Sequence, residues 1–186
     1  MRARQCCVAA LGTVLALALI APSGARAEVL LTEEAALGRA FPGATPERRT
    51  LFLTDQQVDA IQEKARSRMP SAIVTVYEVR SGGRVTGRAV LDTSIVRTMP
   101  ATVLTVISPE GTLQTMLVLQ FTEPPDYLPR EGWLRTLEGR PLDDDLWPGQ
   151  GVRRVAGATL TVQALTDAAR RALALDALVL RETGAP

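Results

Sequence analysis

The feature that most constrains the fold is a β-rich stretch in the middle of the chain. "SAIVTVYEV" is rich in β-branched residues and precedes the turn "SGG", and "ATVLTVIS" is joined to "TLQTMLVLQF" by the turn "PEG". The latter pair is typical of a hairpin. With "RVTGRAVLDTS" and "IVRT" as a further strand, bent at Gly87, the stretch predicts a twisted antiparallel sheet of four or five strands.

Helical patterns lie on both sides of this sheet. "LTEEAALGRAFPGA" opens with Thr32 as an N-cap, and "LTDQQVDAIQEKARSRM" has a capping box of Thr54 and Gln57. After the sheet come a short helix closed by Gly139, an alanine-rich helix to about Leu175, and "DALVL" as a last turn or strand. Helices at both ends with a sheet between them predict an α+β fold.

The first 27 residues, "MRARQCCVAALGTVLALALIAPSGARA", combine a positive start, an apolar stretch and a small-residue exit. This pattern predicts a signal peptide over residues 1–27, cleaved after Ala27, and a periplasmic or otherwise exported protein. The alternative is a retained anchor that keeps the protein at the membrane, although the apolar stretch is short for a span of about 20 residues. We expect residues 28–69 to form an N-terminal helical segment and residues 70–186 the domain with the functional site.

Composition excludes several classes of function. Three of the 21 basic residues lie in the leader, so 18 remain against 20 acidic ones, a net charge of −2 that does not suit nucleic-acid binding. Both cysteines also lie in the leader, and the chain has no histidine. The usual metal ligands and the usual base of a hydrolytic nucleophile are therefore missing, and we predict no catalytic residue and no metal site. We expect "DDD", residues 143–145, to be an exposed acidic loop.

The stretch "GATLT" starts the alanine-rich helix and is the best candidate site. Gly157 allows a sharp turn, Ala158 is small, and Thr159 and Thr161 present hydroxyls that we expect to be exposed. Amide groups at a helix start bind anions, and Arg153 lies just upstream. From the residues alone two interpretations stay open: a phosphate site, or a threonine that caps the helix.

The same stretch resembles the signature of FMN-binding domains in the flavoprotein subunits of sodium-pumping NADH:quinone reductase and of the related ferredoxin:NAD oxidoreductase. "FTEPPDY", "GWLRTLEGRPL", "VTGRAVLDT" and "GTLQTMLVLQF" also resemble segments of that family. The resemblance implies FMN joined covalently to Thr161 through a phosphoester by a separate FMN transferase. Two positions differ from the signature: Ala156 replaces its serine, and Arg153 replaces its aspartate and could pair with the phosphate.

The resemblance also suggests which side chains surround the flavin. Glu123 either bounds the flavin pocket or merely stiffens a loop, and Trp133 either stacks on the ring or belongs to the core. Arg97 and Thr98 either contact the phosphate or decorate a strand end, and we expect the pair 170–171 to lie on a solvated face. The predicted cofactor-binding residues are Thr161, Thr159, Gly157, Ala158, Leu160, Glu123, Trp133 and Arg153.

The implied function is a periplasmic electron carrier that passes electrons between a membrane redox protein or respiratory complex and another acceptor, without turnover of its own. The missing histidine agrees with this, because a flavin supplies the redox chemistry itself. No base stands beside Thr161 in sequence, which agrees with attachment by an external enzyme. The alternatives are a non-redox binding module that keeps the fold without flavin, and a flavin reductase for a small exported substrate.

Overall fold

The computed structural model describes residues 28–181, which form an antiparallel sheet with helices on both faces, and the predicted α+β class is confirmed. The strand order is β1-β6-β5-β4-β3-β2. The strands are β1 Glu28–Val29, β2 Glu47–Phe52, β3 Ile73–Ser81, β4 Arg84–Val96, β5 Met99–Ile107 and β6 Leu113–Phe121. Five of them have six residues or more, and β1 is a two-residue edge.

Four α-helices surround the sheet: α1 Glu33–Ala40, α2 Asp55–Ala65, α3 Glu131–Leu134 and α4 Thr159–Leu175. The predicted caps of the first two are confirmed, since Thr32 accepts from the amide of Ala35 and Thr54 forms a capping box with Gln57. Short 3-10 turns cover Pro125–Tyr127 and Arg135–Leu137, and α4 continues into a π turn over Asp176–Leu180.

Each face of the sheet has its own hydrophobic core. On one face α1 covers a cluster that includes Tyr77 and Leu104. On the other face α2 and α4 cover the larger cluster, which includes Val76, Val90 and Leu165. The alternation of Val76 and Tyr77 between the two clusters follows from the period of two along a strand.

Strand β2 was not predicted, because "ERRTLF" shows little of the apolar pattern of a buried strand. It pairs with β3 from Glu47↔Glu78 to Phe52↔Ile73, and β1 pairs with β6. Residues 28–69 therefore supply both edge strands of the sheet in addition to two helices.

The prediction that Arg170 and Arg171 lie on a solvated face is wrong. They are 2% and 5% exposed, respectively. The Arg170 guanidinium donates to the carbonyl of Ala65 at 2.8 Å and to those of Asp143 and Leu146 at 2.7 and 2.9 Å. The α2 helix and the loop at residues 143–146 cover this side of α4, and their carbonyl groups replace water around the charge.

The predicted leader, residues 1–27, lies outside the described residues. Within residues 28–181, no helix combines the length and the apolar character that crossing a membrane requires.

Candidate functional site

The candidate site is built around the first turn of α4. Gly157 has a φ of 81°, a backbone conformation that glycine adopts without strain, and it turns the chain into the helix. The N-cap is Ala158, and no side chain caps the helix. The alternative of a capping threonine is therefore wrong. The first amide groups of an α-helix have no partner within the helix, so in this uncapped turn they are suited to an anion.

Thr159 and Thr161 differ in exposure. Thr159 is exposed, whereas Thr161 is 1% exposed, so the expectation that both hydroxyls face solvent is wrong for Thr161. The helical period explains the difference. Thr161 lies one turn before the buried Leu165 and also neighbours the half-buried Ala164. Thr161 thus belongs to the buried side of α4.

Trp133 packs in the core and fixes the loop that leads to α4. It is 2% exposed and belongs to the larger hydrophobic cluster. The indole N–H donates to the carbonyl of Arg153 at 2.7 Å, while the Arg153 residue itself is exposed. Of the two roles expected for Trp133, stacking on a flavin ring or packing in the core, the structure shows packing in the core.

Glu123 binds the β4–β5 turn. Its Oε1 accepts from the amides of Thr98 at 2.9 Å and Met99 at 3.1 Å, and from the Thr98 hydroxyl at 3.2 Å. The amide of Thr98 and then that of Met99 lower the pKa of Glu123 against the opposing effect of burial, and the charge of Arg97 adds to the lowering. The carboxylate thereby ties the proline-rich loop after β6 to this turn.

Next to the first turn of α4 lies a groove of about 560 Å³, here called the arginine groove. Its walls are residues 66–70 after α2, the end of β4 with the following turn, and one face of α4. Four of its lining residues are arginines: Arg66, Arg68, Arg97 and Arg171. Asp167 is the one carboxylate among the lining residues of the groove.

Three of these arginines differ in how far nearby carboxylates neutralise their charge. Arg171 is buried and pairs with Asp92 through two bonds of 2.9 and 3.0 Å. Arg66 is exposed and pairs with Asp144 at 2.9 Å. Arg68 is exposed and makes no ion pair with any residue in the described range 28–181. The groove therefore keeps a positive surplus.

Two arginines of the groove adopt left-handed backbone conformations. Arg66 has a φ of 51° and Arg97 a φ of 52°, and they are the non-glycine residues with positive φ within residues 28–181. Arg66 ends α2, and Arg97 turns β4 into β5 with its guanidinium 4.8 Å from the Tyr127 ring centroid. The end of a helix and a two-residue hairpin turn are both common places for this conformation.

The groove also exposes apolar surface. Ile95 is 64% exposed and Leu160 is 55% exposed, and both line the groove. On α4 the lining residues follow the helical period from Leu160 through Ala164 and Asp167 to Arg171. The eleven steps from Leu160 to Arg171 span about 16 Å at the rise of an α-helix. Exposed apolar side chains beside arginines suit a ligand with an apolar body and a negative charge.

Residues 143–145 lie in an exposed acidic loop. All three aspartates are exposed, as expected for an acidic loop, and no cluster of potential metal ligands occurs within the described part of the chain. Asp144 is used by Arg66, and the Asp143 carboxylate accepts from the amide of Leu146 at 3.1 Å.

Leu160 of the GATLT turn and Arg97 line the same groove, and Glu123 and Trp133 have supporting roles. Sequence reasoning missed Arg66, Arg68, Ile95 and Asp167. The one sequence signal for the first two is the run "ARSR" at the end of α2. Nothing local indicates that this run faces α4.

Comparison with known proteins gives no match to a protein-family model and no match to a curated protein.

Proposed function

We propose that the protein is an electron carrier with FMN joined covalently to Thr161, acting outside the cytoplasm between a membrane redox protein or respiratory complex and a further acceptor. The observation that carries this proposal is the start of α4. An uncapped turn with unpartnered amide groups and two threonines adjoins a cationic groove. The resemblance of "GATLT" to the FMN-attachment signature gives the identity of the anion.

The residues present fit a phosphate monoester. The amide groups of the first turn can donate to its oxygens, and the positive end of the helix dipole favours its charge. The exposed Arg153 is near in sequence, and Gly157 leaves the approach open, since a Cβ placed on it would meet no atom within 4 Å.

Attachment of FMN at Thr161 requires the first turn of α4 to move, because Thr161 is buried. Helix ends fray, and a helix without a capping side chain lacks about 1 kcal/mol of stabilisation at that end. Opening the first turn of α4 would bring the Thr161 hydroxyl to a transferase. The chain need not activate this hydroxyl itself, which agrees with the lack of histidine.

The flavin would supply the redox chemistry, and the protein residues would bind and orient it. The Trp133 indole holds the backbone of Arg153 in place. Glu123 holds the turn that carries Arg97. These supports give the first turn and the groove a defined relative position.

The intact mass of the protein, exported beside an active FMN transferase, tests the proposal. We expect the mass of the chain from residue 28 plus one FMN joined with loss of water, and a flavin-fluorescent band after denaturing electrophoresis. Peptide mapping should place the addition on Thr161. A protein with the bare polypeptide mass would reject the electron carrier and favour the binding module without flavin.

Thr161→Ala is expected to abolish covalent flavin and to leave a folded protein. Because Thr161 is buried, we expect the substitution to lower the free energy of unfolding by about 1 kcal/mol. Thr159→Ala should reduce attachment in part, and Thr45→Ala, exposed and outside the site, should keep it. Denaturing fluorescence and urea unfolding measure both effects. Flavin retained by Thr161→Ala through denaturation would contradict the assignment of this residue.

A further inference from the structure

Resting on the proposed function, we propose that the arginine groove receives the ring system of the tethered flavin and that its guanidinium groups raise the midpoint potential of that flavin. The groove begins beside Leu160, next to the attachment turn, and continues along α4 to Arg171. Its length of about 16 Å along the helix is close to that of an extended FMN. Thr161 is buried and does not line the groove, so a flavin tethered to it would enter past Leu160 once the first turn has opened.

The lining of the groove matches both parts of such a ligand. Ile95 and Leu160 offer exposed apolar surface for a flat ring. Large exposed apolar side chains are few in residues 28–181, and these two lie in the groove. Arg68 and Arg97 present cations, and Arg171 is held in place by Asp92 and by Ser94 at 2.6 Å.

The charge of the groove predicts the direction of the effect. Two-electron reduction of the ring by an external donor adds at most two protons, and the ring gains negative charge whenever fewer protons than electrons are taken up. Nearby cations stabilise that negative charge more than the neutral oxidised ring. Arg66 and Arg171 are paired with Asp144 and Asp92, so the effect rests on Arg68 and Arg97, whose charges favour the reduced form against the opposing Asp167.

The two arginines with positive φ stand at the end of α2 and in the β4–β5 turn. A glycine at position 66 or 97 would adopt φ near 50° without strain, yet arginine occupies both positions. Each arginine also belongs to a well-anchored segment, one at the end of α2 and one in the turn held by Glu123.

The test uses Arg68→Gln, because Arg68 is exposed and unpaired within the described residues, so the variant should fold normally. The control is Arg84→Gln. Arg84 is exposed at the start of β4, twelve residues before Val96 and therefore roughly 40 Å from the groove end of that strand. We expect Arg68→Gln to weaken the preference for reduced over oxidised flavin about tenfold, which lowers the midpoint potential by about 30 mV for a two-electron couple. Arg84→Gln should match the wild type.

A second measurement does not depend on attachment. Protein made without FMN transferase should quench the fluorescence of added free FMN, with affinity that falls as salt rises. Arg68→Gln should weaken this binding about tenfold, and Arg84→Gln should not. Loss of covalent flavin with groove binding retained would overturn the covalent carrier alone. Equal potentials and equal FMN affinities in Arg68→Gln, Arg84→Gln and the wild type would overturn the groove as the ring site.

Discussion

The buried charge of Arg171 is compensated by groups that lie far from it in the chain. Nothing in "AARRAL" distinguishes a buried arginine pair from a solvated one, since the helix alone satisfies neither side chain. The carboxylate of Asp92 that pairs with Arg171 lies 79 positions earlier in the chain. Ser67 and Ser94 accept the remaining bonds, at 2.7 and 2.6 Å. Burial of this charge is tolerated because its donors are paired, and that pairing exists only in the folded chain.

Tyr77 gives a pH-dependent prediction at the same scale. Burial, and then a hydrogen bond that its hydroxyl donates to Glu33, raise the pKa of Tyr77 to about 12 from 10.0. The folded state therefore favours the neutral phenol. The resulting stabilisation is fully present below pH 10 and is lost as the pH rises from 10 through about 12. We expect the free energy of unfolding to fall across this range by less in Tyr77→Phe than in the wild type.

Urea denaturation at pH 9 and pH 11 measures this difference. Tyr127→Phe removes the other of the two tyrosines and serves as the control, with the loss of stability expected to equal that of the wild type. Parallel losses in the wild type and in Tyr77→Phe between these two pH values would contradict the role of the buried phenol.

Among the elements, α1 and β4 meet at one close contact. The β3–β4 register shifts between Val79 and Arg80, beside Gly87, where the sequence predicts a bend. A Cβ on Gly87 would lie 2.7 Å from Cε1 of Phe41, which follows α1. Because Gly87 lacks a side chain, the Phe41 ring can lie close to the strand. The same residue also stands at the irregular register.

Gly87→Ala should lower the free energy of unfolding by about 1–3 kcal/mol, because the buried Phe41 ring must move to admit the methyl group. Gly38→Ala is the matched control within α1. A Cβ there meets nothing within 4 Å, so this variant should gain about 0.5–1 kcal/mol from helix propensity. Thermal unfolding followed by circular dichroism compares the two. An unchanged or raised melting temperature for Gly87→Ala would exclude tight packing at this contact.

The elements that could be predicted are those with local signals. The caps at Thr32 and Thr54, the hairpin of β5 and β6, and the end of α4 at Leu175 all follow from short sequence patterns. The arginine groove could not be predicted, since its walls come from α2, β4 and α4, and only their packing brings them together. Within the site, the attachment turn has a local pattern and could be predicted. The burial of Thr161 could not, because it depends on which face of α4 packs against the core.

On the scale of the whole molecule, the two faces of the sheet depend on the first 42 described residues, 28–69. The α1 helix covers one face, and α2 places Ile61 and Ala65 in the core of the other. Strand β2 protects the free edge of β3 by antiparallel pairing. The N-terminal segment that the sequence predicts to be helical thus packs against residues 70–181 through α1, α2 and both edge strands.

This arrangement predicts that residues 70–186 do not fold alone. Removing residues 28–69 would expose the apolar face that carries Tyr77 and Leu104 and would leave β3 as an unpaired edge. We expect the fragment 70–186 to lack a cooperative thermal transition and to aggregate, whereas the protein comprising residues 28–186 should unfold cooperatively. Scanning calorimetry and size-exclusion chromatography on the two proteins compare them directly. A cooperative transition in a monomeric 70–186 fragment would show that the sheet is stable without α1, α2 and β2, and that the N-terminal segment is an addition to an independent domain.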